Sequence, residues 1–379
     1  MKIYRAEWLV TQDDARTVLE DAALAIEGGL VSDAGPAADV LARHPDAEVD
    51  DLGASAILPG LIDAHTHVPM SALRGAADDK ALFAWLSEDI FPREARWEPA
   101  LLRVSALLSF AEMIRTGTTA FWDMYMLQEN VFAAADELIE AGRKFGLNTQ
   151  ISHIGSMAGF GQMERFLQKV DAERANGLRL HCDCYPYYAF STRIGETTYD
   201  EGFLERYRTD YSVVELCEGK YRGRSCTKEI FDELRRDAPL TLTVCRVMLP
   251  EEIDMAVVQP GVMIASDGLL SSGQGHPRAA GCFPRFLGKY AGSRMPIYDA
   301  VAKITALPAE KAGLCGKGGI GAGADADIVI FDPTKVRDNS TFEAPTTPPS
   351  GISCVMIGGK VAFADGKIVN DKLGRSLRL

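Results

Sequence analysis

The chain has 379 residues with a formal net charge of −13, and its 47% apolar and 25% charged residues are ordinary for a globular protein. That length exceeds one typical core, so a large domain with a small satellite is expected, and the negative charge excludes nucleic acid and anionic membrane surfaces as partners. No run of 18 apolar residues offers a membrane span. The opening Met1-Lys-Ile-Tyr-Arg-Ala-Glu reads as a strand rather than a signal peptide, and eight scattered cysteines fit reduced thiols in a cytoplasm.

Residues 1–55 alternate short strands and turns around Ile3, Ala23–Val31 and Val49, the texture of a small β-unit. Next comes Ala56-Ile-Leu-Pro-Gly-Leu-Ile-Asp-Ala-His65-Thr-His67, an apolar strand ending in two histidines. Alternation puts both imidazoles on one face, where they can share a divalent metal. A generic His-x-His is more often incidental; here it ends a buried strand, and more histidines follow at strand ends. A helix with apolar positions Leu101, Val104, Leu108, Ala111 and Ile114 stops at Gly117. Strands are then expected at 118–125, 147–153, 178–187, 240–247 and 262–267, with helices near 129–145, 162–175 and 200–238. With 57–67 these make six strands of a parallel βα array, most simply a barrel with its chemistry at the C-terminal strand ends. The tail, from Ala326 through a hairpin about Gly358-Gly359, returns to the β texture of the start.

Of six histidines, His65, His67, His153 and His181 sit at or near expected strand ends, and Asp267 ends the last one. Such ends converge on one mouth. Two or three imidazoles and a carboxylate there make a zinc-type site with one position open for water, with Asp267 as ligand, general base or both. Bland alternatives stand beside each residue. His153 could be a satisfied core histidine, His181 shares its strand face with Asp183 and Tyr185, and Asp123 could be a structural acceptor. His44 reads as surface, Cys182-x-Cys184 as two small apolar residues, and Gly319–Gly323 as a turn rather than a nucleotide loop.

The motifs resemble the amidohydrolase superfamily in two styles. Leu58-Pro-Gly-Leu-Ile-Asp-Ala-His-Thr-His-Val-Pro-Met-Ser-Ala-Leu-Arg-Gly75 and Ala111–Tyr125 are similar to the chlorohydrolase and S-adenosylhomocysteine/methylthioadenosine deaminase branch. From about 147 onward, Ile151-Ser-His153, Asp183–Tyr187, Ile264–Gly268, His276-Pro-Arg278 and the tail from Gly321 resemble D-aminoacylases, the N-acyl-D-amino-acid deacylases. The resemblance implies that His65, His67, His153 and Asp267 hold one divalent ion, most simply zinc, with a second left open and His181 as a further candidate. It implies Asp267 as the catalytic acid/base. Arg278 is implied to hold a substrate carboxylate, with Tyr185, Ser191 and His276 also on the substrate side.

Departures from that pattern shape the expectation. D-aminoacylases carry a lysine two residues after the histidine matching His153, where Gly155 stands here; a bridging cysteine and another histidine are also missing. Residues 126–146 leave room for one helix where further βα units belong. The expected fold is thus an α/β (TIM-like) barrel short of strands over 56–319, with a small β-sandwich built from 1–55 and 320–379. A short barrel cannot simply close, so either the sheet is open and another subunit covers its edge, or the barrel is distorted; a homo-oligomer is expected. The expected reaction is hydrolysis of a non-peptide C–N bond in a small-molecule substrate. An N-acyl-D-amino acid leads, an aminohydrolase of a purine nucleoside or related ring follows, and a metal-binding scaffold with little activity is the third reading.

Overall fold

The computed structural model describes residues 1–66, 108–123, 149–156, 158–177, 179–268, 270–271 and 274–374. Strands β1 (Lys2–Val10), β2 (Val18–Glu27) and β3 (Leu30–Pro36) form an antiparallel meander. The β2–β3 turn is Gly28-Gly29, both at positive φ (62° and 89°), as a two-residue hairpin turn demands. A helix at Ala37–Arg43 covers this meander, burying Ala37 and Val40 with Ile3, Ala23 and Ala25. Strands β4 (Glu48–Asp51) and β5 (Ala56–Pro59) then each run parallel to β1.

The middle of the chain holds shorter strands. β6 (Leu61–Thr66) pairs in parallel with β7 (Thr118–Asp123). β8 (Thr149–Ile151) pairs in parallel with β9 (Leu180–Cys184). β10 (Phe190–Arg193), β11 (Val214–Leu216) and β12 (Leu242–Cys245) make a separate antiparallel sheet. β13 (Val262–Ile264) returns to the far edge of β9, in parallel, and β14 (Leu270–Ser271) and β15 (Gln274–Gly275) form a small hairpin. β16 (Ile328–Phe331), β17 (Ile352–Ile357), β18 (Lys360–Ala364) and β19 (Lys367–Ile368) complete the described strands.

Both ends of the chain share one nine-stranded sheet, ordered β19-β18-β17-β16-β5-β1-β2-β3, with β4 also on β1. β5 joins the two contributions, parallel to β1 on one side and antiparallel to β16 on the other. It is buried on both faces. Leu58 packs with Val329, Phe331 and Val355 into the main core, while Ile57 packs with Ile328, Ile330 and Met356 into a second cluster. Burying each such side chain is worth roughly 1.5–3 kcal/mol.

Two expectations are corrected. The stretch 57–67 is two strands in two sheets, divided at Gly60. A Cβ there would lie 2.0 Å from Thr119 Oγ1, so only glycine lets the chain pass this close to β7. The 240–247 strand is antiparallel, because an apolar alternation specifies a buried strand but not its partner's direction. No sheet of the described residues closes on itself. Instead, residues 265–267 tie the two parallel groups together. Ala265 N–H donates to Cys184 O at 3.1 Å and Asp267 N–H to His65 O at 3.4 Å, while Ser266 Oγ donates to the buried Asp63 carboxylate at 2.6 Å.

Of the helices, Met163–Ala175 lies where expected. The expected 129–145 helix, Leu101 and Val104 fall outside the described residues. No helix of the described residues is long and apolar enough to cross a membrane.

Candidate active site

The C-terminal ends of β6, β8, β9 and β13 meet at a cluster of charged and aromatic side chains. His65 is the fifth residue of β6, His153 follows β8 by two residues, Asp183 lies on β9, and Asp267 follows β13. Asp267 is the hub. His65 Nε2 lies 3.8 Å from its Oδ1, His153 Nε2 lies 3.9 Å from its Oδ2, and Arg278 Nη2 donates to Oδ2 at 3.0 Å. The two imidazole centroids are 6.0 Å apart. His153 and Asp267 both have left-handed backbones, with φ of 37° and 44°. Non-glycine residues hold that conformation at a cost of about 1–3 kcal/mol each, typically where a site needs it.

Behind them, Asp183 is 1% exposed. Its carboxylate accepts the His153 N–H at 2.9 Å and a bond from Gln150 Nε2, and lies 3.9 Å from His65 Nδ1. Burial pushes this carboxyl up, but the contacts with His65, the His153 amide and Gln150 outweigh it, and Asp183 titrates below the ordinary range. For His65 burial works the other way from its neighbours. Asp183, Asp267 and Asp63 around the ring raise its pKa on balance. Asp63 itself is pushed up to about 6 by burial, against the bonds from Ser266 and the His65 amide.

Arg278 opens the helix Arg278–Tyr290 and is 4% exposed. Its guanidinium carbon stands 4.2 Å from the centre of the Tyr185 ring, and its Nε has no hydrogen-bond partner among the described residues. Tyr185 is likewise buried, its hydroxyl 3.8 Å from Met248 Sδ.

Three candidates are placed away from an open metal or substrate position, and a fourth lies outside the described residues. His276 is fully buried, and both ring nitrogens are engaged. Nε2 lies 2.9 Å from Ala189 O and Nδ1 accepts the Arg278 N–H at 3.1 Å, while Tyr187 and Phe342 pack edge-on against the ring. It braces Arg278 and is not open to a substrate. Ser191 donates to Thr243 O at 2.8 Å across the β10–β12 pair, so its proton is committed to the sheet. His181 is not among the cluster's described contacts. Burial and the cations Lys311, Arg174 and Arg179 depress its pKa to about 4, and the same cations disfavour a metal ion there. His67 lies outside the described residues.

The donor chemistry fits a zinc-type ion, since imidazoles and a carboxylate turned toward one another are ordinary ligands. Their N···O separations of 3.8 and 3.9 Å are too long for hydrogen bonds. They are somewhat wider than the roughly 3.4 Å edge of a tetrahedron with bonds of about 2.1 Å. No group of three His, Cys, Asp or Glu among the described residues is closed tightly enough to hold an ion by itself.

Sequence reasoning missed Ser156 and Asp63. Ser156 becomes visible only when the turn after β8 folds it back on His153, and Asp63 reads from sequence as one more residue of an apolar strand.

Models of the amidohydrolase family match residues 56–180 and, separately, 259–363. A 5-methylthioadenosine/S-adenosylhomocysteine deaminase of Nitratidesulfovibrio vulgaris is 48% identical over 134 residues, 35% of this chain and 30% of that protein. An N-acyl-D-glutamate deacylase of Alcaligenes xylosoxydans is 33% identical over 256 residues, covering 65% of this chain and 52% of the relative. The chain thus spans between about a third and half the length of these curated relatives. Among solved structures, a zinc- and phosphonate-bound N-acyl-D-glutamate deacylase of Bordetella bronchiseptica shares the fold. Its TM-score is 0.70 at 22% identity, with 100% of both chains covered. A D-aminoacylase variant in complex with copper chloride matches with a TM-score of 0.73 at 20% identity, covering 100% of this chain and 99% of the other. Residues 56–180 and 259–363 are therefore of amidohydrolase-family type, and the chain is similar over 35% of its length to methylthioadenosine/S-adenosylhomocysteine deaminases and over 65% to N-acyl-D-amino-acid deacylases.

Proposed function

We propose that the chain is a metal-dependent amidohydrolase that removes the acyl group from an N-acyl-D-amino acid. The observation that supports this most directly is the placement of His65 and His153, each turning Nε2 toward a different oxygen of Asp267. In this reading His65, His67, His153 and Asp267 hold one divalent ion, zinc in the first instance. The ion supplies Lewis acidity toward a carbonyl group and toward water.

The chain's own residues carry the rest. Asp267 accepts the proton of the attacking water and returns it to the departing nitrogen. Arg278 holds Asp267 in position through Nη2, and its guanidinium is the cation assigned to a substrate carboxylate. Asp183 keeps the His65 ring and the His153 backbone in place.

The architecture proposed with this function is a (β/α) barrel short of strands over 56–319, a composite β-sandwich over 1–55 and 320–379, and a homo-oligomer in the cytoplasm. A second reading, removal of an amino group from a purine-type ring, is favoured by the 48% identity to a deaminase over 35% of the chain.

One experiment separates these. The purified chain is analysed for metal and then offered N-acyl-D-amino acids and amino-purines, with amino acid and ammonia measured side by side. The proposal expects about one ion per chain and release of an α-amino acid. Ammonia release supports the second reading, and a metal-bound chain that releases neither is a scaffold.

A further inference from the structure

One turn after β8 holds a group that no part of the proposed chemistry uses. His153 and Gly155 both have positive φ, 37° and 95°. A Cβ on Gly155 would lie 2.3 Å from Ile253 Cδ1, so the turn is tight and glycine-dependent at that position. The Gly155 N–H donates to Ala158 O at 2.8 Å, and Tyr207 Oη donates to Ser156 O at 2.7 Å. These bonds fold Ser156 back beneath His153, where it is 5% exposed. Its Oγ then meets the same histidine twice, donating to the backbone carbonyl at 2.8 Å and lying 3.1 Å from ring Nδ1.

A serine hydroxyl has one proton and two lone pairs. With the proton committed to the His153 carbonyl, Oγ can meet Nδ1 only as an acceptor, so Nδ1 must carry the ring's proton. A neutral imidazole with Nδ1 protonated has a bare Nε2. That atom faces Asp267 Oδ2 at 3.9 Å, with no proton of its own to offer. The reverse tautomer would set the Nδ1 lone pair against an oxygen that has no proton left.

We propose that Ser156 is a positioning residue that locks His153 in the Nδ1–H tautomer and so keeps the Nε2 lone pair directed at the ion site. The hydrogen-bond argument stands on the turn alone; its consequence for metal rests on the function proposed above. Groups that orient a ligating histidine in this way change metal affinity by about 10- to 100-fold when removed.

The test uses the full chain as purified, labelled with 15N-histidine. At about pH 8, where an ordinary imidazole is neutral, long-range proton–nitrogen correlation reports which ring nitrogen bears the proton. His153 is identified by the signal lost in H153N. The expected wild-type spectrum shows the His153 proton on Nδ1. In Ser156→Ala that signal shifts toward the other tautomer or a mixture, and zinc is surrendered to a competing chelator at least about ten times more readily. Ser156→Thr, which keeps the hydroxyl, restores both. A wild-type proton on Nε2 overturns the proposal, even if S156A fails to fold. So does an S156A protein with unchanged tautomer and unchanged zinc retention. A wild-type chain that binds no zinc sinks the metal reading, and the tautomer signal still decides the role of Ser156.

Discussion

The terminal sheet and the strand-end cluster solve opposite problems with similar strands. In the sheet, β5 pairs with a partner on each side and buries apolar residues on both faces, so every local preference agrees with the global fold. At the cluster the strands are short, and His153 and Asp267, just past the ends of two of them, are left-handed. Asp183, His65 and Arg278 are buried there as polar or charged groups. The first region is stable because of what it excludes from water. The second is held in place by pairings that leave charge poised at an opening, and such a site is paid for by the sheet behind it.

Perturbing the two regions separately tests that contrast. The largest effect is expected from Asp267→Asn, which removes the proposed proton carrier and should lower turnover about 10²- to 10⁴-fold. Circular dichroism should be unchanged, and full activity in the variant would remove Asp267 from the chemistry. Arg278→Ala strands a carboxylate beside a buried cavity and should destabilise the chain by about 3–5 kcal/mol. The denaturant midpoint reads this, and a loss under about 1 kcal/mol would mean that the pair is effectively solvated. In the sheet, Leu58→Ala should cost about 2–5 kcal/mol through lost burial and a cavity. The turnover of the folded fraction should stay as it was; a matching fall in turnover would show that the two regions are coupled.

The smallest effect concerns Lys303, whose ammonium donates to Gln259 O and, at 2.8 Å, to Val262 O at the foot of β13. Burial lowers its pKa to about 8. The folded chain therefore binds fewer protons than the unfolded chain between about pH 8 and 10.4, and stability should rise with pH across that window. The gain is at most about 3 kcal/mol. Unfolding curves of Lys303→Met should lack that rise, and parallel pH profiles for the two proteins would place the titration elsewhere.

What was readable in the sequence was whatever local alternation encodes. His65 at the end of an apolar strand, Asp267 after Val262–Ile264 and the returning β texture of the tail all follow from period-two patterns and turn residues. What was unreadable depends on contacts made across the fold. His276 has the residue type of a site ligand, yet the Ala189 carbonyl and the Arg278 amide use both its nitrogens. Gly60 reads as part of one long strand until Thr119 occupies the place of its missing side chain. The antiparallel direction of β12 and the return of Ser156 to His153 are likewise facts of tertiary placement. Propensity and periodicity carry no record of either.

The placement of β5 also has a consequence for biosynthesis. Ile57 pairs with Ile330, and only Gly60 separates the end of β5 from the strand bearing His65. A ribosome making this chain delivers the histidine strand early and its flanking sheet partner very late. Until β16 emerges, β5 presents an open apolar edge with its hydrogen-bonding groups unmatched, the kind of surface that invites pairing with another chain. The interval between those two events is when a nascent chain most needs protection, and faster elongation through the intervening residues shortens it.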